Sequence, residues 1–120
     1  MPAITFSNDE DSWVVARWVF CGYLEHVHGE ISYDSDLAQI VEEAMALDGL
    51  HFSLIERNIA ERLAPVLLRV ANEVVAGKRA ARVEGRVLDT KSQAQFQEAV
   101  ADLRAKLWRK LTGLNDPEPG

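Results

Sequence analysis

Three stretches of this chain repeat apolar residues at steps of three and four, and each ends at a turn-forming residue. Leu37, Ile40, Val41, Ala44 and Met45 form one stripe before Asp48-Gly49. Ile55, Ile59, Leu63, Val66, Leu67, Val70 and Val74 form a second before Gly77. Phe96, Val100, Leu103, Leu107 and Leu111 form a third before Gly113. A period near 3.6 residues gathers side chains on one face of an α-helix. Start signals agree with the stripes. Asp34 suits the N-cap of a helix over about 35–47. Ser53-Leu54-Ile55-Glu56 and Thr90-Lys91-Ser92-Gln93 fit capping boxes for helices running to about 76 and 112. Pro65 interrupts the second stripe. It lacks a backbone donor and crowds the Glu61 carbonyl, so a kink or a split is expected near 61–65.

A fourth helix is expected at the start of the chain. Ser7-Asn8-Asp9-Glu10 fits another capping box, and Gly29 offers a stop after about His28. Its apolar residues, from Trp13, Val14 and Val15 to Trp18, Phe20, Tyr23, Leu24 and Val27, are too many for one stripe. A helix apolar almost all round is central in its fold or shared with a partner. Trp13, Trp18, Phe20 and Tyr23 are therefore candidate anchors for a homodimer, because aromatic residues suit interfaces. Ile4-Thr5-Phe6 alternates but is too short to count as a strand alone. The expected fold is all-α: one domain over 1–114, a bundle of four main helices, followed by a flexible tail over 115–120.

Charge divides the chain. Residues 1–64 carry twelve acidic and three basic side chains, net −9, while residues 65–120 carry seven and ten, net +3. Phosphate binding needs Lys and Arg, so direct nucleic-acid contact by the acidic half is disfavoured. A basic partner fits better, since opposite charge steers association. Asp34, Asp36, Glu42 and Glu43 are the candidate contact residues. Lys78, Arg79, Arg82 and Arg86, with Arg104, Lys106, Arg109 and Lys110, form a weaker basic counterpart, readable also as solvated helix faces.

Motifs for chemistry are sparse. Arg17, Cys21, Glu25 and His28 share one face of the expected first helix, and three of them are residue types that bind zinc. No CxxC, HxxxH or second cysteine supports a metal, so a polar stripe beside a buried thiol is the preferred reading and no cofactor is expected. His26 and His28 point to opposite sides of a helix. Asp34-Ser35-Asp36 opens like a calcium loop, but Ala38, Gln39 and Met45 fail its later positions. Residues 39–58 could form a helix-turn-helix, yet Ser53, Glu56, Arg57 and Glu61 supply no basic excess.

The lone Cys21 points to a reducing, cytoplasmic home, and residues 1–6 lack the features of a secretory signal. These features together indicate a non-enzymatic interaction module. Its properties, though not its residues, parallel those of immunity proteins and other inhibitors of nucleic-acid-handling proteins. The alternatives are a homo-oligomeric structural protein, a small-ligand or metal-binding bundle built on Cys21, Glu25 and His28, or a helix-turn-helix DNA binder.

Overall fold

The computed structural model describes residues 2–6, 12–83 and 85–112. The chain forms β1 (Ala3–Thr5), β2 (Ser12–Val14), α1 (Arg17–Ile31), α2 (Ser35–Leu47), β3 (Gly49–His51), a 3-10 turn (Phe52–Leu54), α3 (Arg57–Val75), β4 (Arg82–Val83), β5 (Arg86–Val87) and α4 (Thr90–Thr112). Four helices dominate, as the stripes require. A small sheet accompanies them, which the all-α expectation lacked. The Ser7 capping box and the 115–120 tail lie outside the described residues.

The sheet is ordered β2-β1-β3. Ile4 pairs with Trp13 antiparallel and with Leu50 in parallel. These three central residues are buried while their neighbours are not, which is the two-residue alternation of strands with one covered face. Trp13 also donates its indole N–H to the Ala99 carbonyl of α4 at 2.7 Å, tying the sheet to the last helix.

The first helix therefore begins at Arg17, not near Ser7. Trp13 and Val14 belong to a strand, and Ala16 enters α1 in an extended conformation with no side-chain cap. The helix also runs past Gly29 to Ile31. A side chain at Gly29 would meet nothing within 4 Å, so this glycine is an open surface position and not a stop. The chain turns at Ser32-Tyr33, where Asp34 caps the next helix.

Helix α2 spans the expected residues, and its C-cap is Asp48, left-handed at φ 59°. The Ser53 box does not start α3. Residues 52–54 form the 3-10 turn, which buries Phe52 against Phe6 with ring centroids 5.7 Å apart, and the helix begins at Arg57 with no side-chain cap at Glu56. The split considered at Pro65 does not occur, since α3 continues through it to Val75. Its end is a Schellman motif. Gly77, at φ 81°, donates to Val74 and Lys78 donates to Glu73.

Helices α1, α3 and α4 close the core with Phe20, Tyr23, Leu24, Leu63, Leu67, Phe96 and Leu103, all fully buried. The Tyr23 hydroxyl donates to the Leu67 carbonyl, which satisfies the one polar atom of that buried ring. Residues 82–87 form a hairpin turning at Gly85 with φ 80°. The N-terminus of α4 is capped by Asp89, which accepts from the Ser92 N–H at 2.8 Å. Gln93 is thereby released from the expected box, and it clamps the hairpin base through the Ala81 N–H and the Ala81 and Leu88 carbonyls.

Candidate functional site

The acidic surface is built on α2. Asp34 accepts from the Asp36 and Leu37 N–H groups at 3.2 and 3.3 Å, fixing where the helix begins. Leu37, Ala38, Val41 and Ala44 then face the core. At about 100° per residue, Glu42, Ala46, Gln39, Glu43, Asp36 and Leu47 fill one contiguous outward arc of about 140°. All six are exposed, and α2 contains no Lys or Arg. Exposed apolar side chains stand at both ends: Tyr33 is 83% exposed and Leu47 79%. Thirteen residues span about 20 Å at 1.5 Å per residue.

The four candidate acids divide by role. Asp34 serves the structure, being a helix cap and an ion-pair partner of Arg62 at 2.6 Å. Arg62 also approaches Asp36 at 3.6 Å. Glu42 meets His28 Nε2 at 2.8 Å, and Glu43 accepts from Gln39 at 3.1 Å. Asp36, Glu42 and Glu43 keep their carboxylates at the surface. The pairs that do form are exposed and cost little to break.

The aromatic candidates are placed differently. Trp13, Phe20 and Tyr23 are at most 1% exposed within the single chain, and Trp18 packs half-buried against the ring of Phe96. Trp13, Phe20 and Tyr23 thus give their rings to the monomer's own core, while Trp18 keeps part of its ring at the surface. The density of apolar residues arises because α1 is central, one of the two options the sequence left open.

Arg17, Cys21, Glu25 and His28 do not assemble. Arg17 turns to Asp48, His28 turns to Glu42, and Cys21 packs half-buried beside the core. Among the described residues no three His, Cys, Asp or Glu side chains are grouped to hold a metal ion. His26 contacts the Ala80 carbonyl at 2.9 Å. The helix-turn-helix reading also fails, because β3 and the 3-10 turn stand between α2 and α3. No described helix is long and apolar enough to cross a membrane.

Two features escaped the sequence reading. Glu30 on α1 receives Arg79 and Arg69, each at 2.7 Å, and Arg79 also bonds Glu73. The Arg79 hydrogen bond, aided by the Arg69 charge, holds the Glu30 carboxyl below its ordinary pKa. Burial works against the charge of Arg79, but Glu30 and Glu73 outweigh it and raise the guanidinium's pKa. The spacing of these residues along the chain offered no cue to this cluster. The second feature is an open groove of about 490 Å³ between α3 and α4, lined by Leu68, Asn72, Arg104, Ala105, Trp108 and Arg109. Trp108 falls off the Phe96–Leu107 stripe, which was the available signal.

No family model matches the chain, and no curated protein or solved structure is significantly similar to it.

Proposed function

We propose that this protein is a non-enzymatic interaction module of the cytoplasm that binds and blocks a basic macromolecular partner through the outward face of α2. The observation that carries this reading is the composition of that face: three carboxylates, no basic residue in the helix, and exposed apolar residues at its two ends. Protein interfaces combine apolar anchors with polar surroundings, and Tyr33 and Leu47 supply the first while Asp36, Glu42 and Glu43 supply the second. Such a face accelerates encounter with a basic surface and competes there with other anions, nucleic acid included. Binding of this kind is how an immunity-type inhibitor would act.

The test compares two baits, the wild type and Glu42→Lys/Glu43→Lys, in pull-downs from native lysate at low and high salt. The reading expects a dominant basic protein held by the wild type at low salt, released at high salt and absent from the variant. Identical captures by both baits would remove α2 as the contact face.

A further inference from the structure

We infer that the outward face of α2 also takes a second copy of this chain, docked through the basic hairpin of residues 82–87; the inference rests on α2 as the contact face. Arg82 and Arg86 are exposed, and neither makes an ion pair among the described residues. Arg82 stands directly opposite Val87 in the ladder, so the two side chains share one face of the hairpin with Cβ atoms about 5 Å apart. Val87 is 60% exposed. The hairpin thus sets a guanidinium beside an uncovered apolar side chain. Helix α2 repeats this arrangement with the charge reversed. Glu43 and Leu47 are both exposed and lie four residues apart on the outward arc, with about 5–6 Å between Cβ atoms. Laid together, Arg82 meets Glu43 while Val87 meets Leu47, at matching separations. Glu43 accepts one bond, from Gln39, and a carboxylate has several acceptor positions, so it takes a guanidinium without losing that bond. Arg86, next in the strand to Val87, adds a second positive charge to the approaching hairpin.

The match operates between copies and not within one. His28 of α1 faces α2, at Glu42, and His26 faces the approach to the hairpin, at the Ala80 carbonyl. Two residues at about 100° each place these histidines on nearly opposite sides of α1. The hairpin therefore cannot reach across to its own α2. Because the two patches differ, the contact is head to tail, and a docked pair still offers one patch of each kind, so association passes beyond a dimer. The patch is small: a face about 20 Å long and about 10 Å wide falls well below the about 800 Å² per partner of a standard interface. Self-association is correspondingly weak. The chain covers its own contact face when concentrated and yields it to a partner that makes more contacts. The net charge of −6 opposes approach of two copies at very low salt, but near physiological salt it is screened beyond about 8 Å while the contact pairs persist.

The experiment is sedimentation equilibrium of the full chain at about 0.15 M salt. The wild type should gain mass with concentration and pass the dimer, with an apparent Kd between about 50 µM and 1 mM. Glu42→Lys/Glu43→Lys and Arg82→Glu/Arg86→Glu should each weaken association by about tenfold or more. Combining all four substitutions restores the charge match and the wild-type net charge of −6, so association should return to within about threefold of wild type. Only a folded chain can regain it, so the combined variant guards against misfolding. A monomer mass up to about 2 mM, a mass that stops at the dimer, unchanged association in either charge reversal, or no recovery in the combined variant would each overturn the inference. The α2 reading is judged apart, because Arg82→Glu/Arg86→Glu leaves Glu42 and Glu43 in place and should still capture the basic partner from lysate. Such capture beside a monomeric wild type would remove the self-contact alone. Captures indifferent to Glu42→Lys/Glu43→Lys, beside charge-reversible self-association, would remove the basic partner alone.

Discussion

Two stretches of this chain carry the marks of a contact surface, and the fold treats them in opposite ways. The aromatic run through Trp13, Phe20 and Tyr23 is buried inside the monomer, and the acidic run through Asp36, Glu42 and Glu43 is left on the outside. The difference follows from what each residue type gains. A buried aromatic ring removes large apolar area from water, and its N–H or O–H finds a partner, as Trp13 does at Ala99 and Tyr23 at Leu67. A buried carboxylate needs a countercharge and several hydrogen bonds. Aromatic density thus marks the centre of this fold, and the carboxylates that remain outside form the acidic face on which the proposed contact rests.

Substitutions in the two stretches should separate cleanly. The largest effect is expected for Trp13→Ala, which empties the junction of sheet and α4 and removes the indole bond to the Ala99 carbonyl. Urea unfolding should show a loss of about 3–5 kcal/mol. A loss below about 1 kcal/mol would return Trp13 to the list of surface anchors. Tyr23→Phe keeps the ring and removes the donor to Leu67, so the same assay should read about 1–2 kcal/mol.

Acid tests the ion-pair cluster around Glu30. The folded Glu30 carboxyl titrates below its unfolded value, so its contribution to stability is present above about pH 4.5 and is lost as pH falls through the lower folded value. Glu30→Gln should lower the neutral-pH stability by less than about 1 kcal/mol and flatten the acid limb of a stability–pH profile. An unchanged acid limb would show that Arg69 and Arg79 do not hold this carboxylate in solution. The smallest effect on stability is expected for Glu42→Lys/Glu43→Lys, within about 0.5 kcal/mol of wild type by thermal unfolding, because both side chains are exposed.

The legible parts of the fold were those whose signals are local. Asp34 with the Leu37–Met45 stripe marked α2 to the residue, and the Phe96–Leu107 stripe marked α4. The β2 strand at Trp13 was hidden, because its short partner strand at Ile4 is itself held in a sheet only by Leu50, far along the chain. A local reading saw only an apolar run and assigned it to a helix. Ser53 and Thr90 misled for a related reason. Burial of Phe52 delays α3, and Asp89 takes the cap of α4 so that Gln93 can hold the hairpin. Of the candidate surface, Asp36, Glu42 and Glu43 were readable from their place opposite the stripe. The α3–α4 groove was not, since it depends on which helix faces meet.

The most direct measurement is the association rate of the captured basic partner as a function of ionic strength, for wild type and Glu42→Lys/Glu43→Lys. Screening shortens the reach of charge to about 8 Å at physiological salt. The wild-type rate should therefore fall steeply as salt rises, and the variant should start slow and change little. Equal rates with equal salt dependence would contradict the assignment of the α2 face.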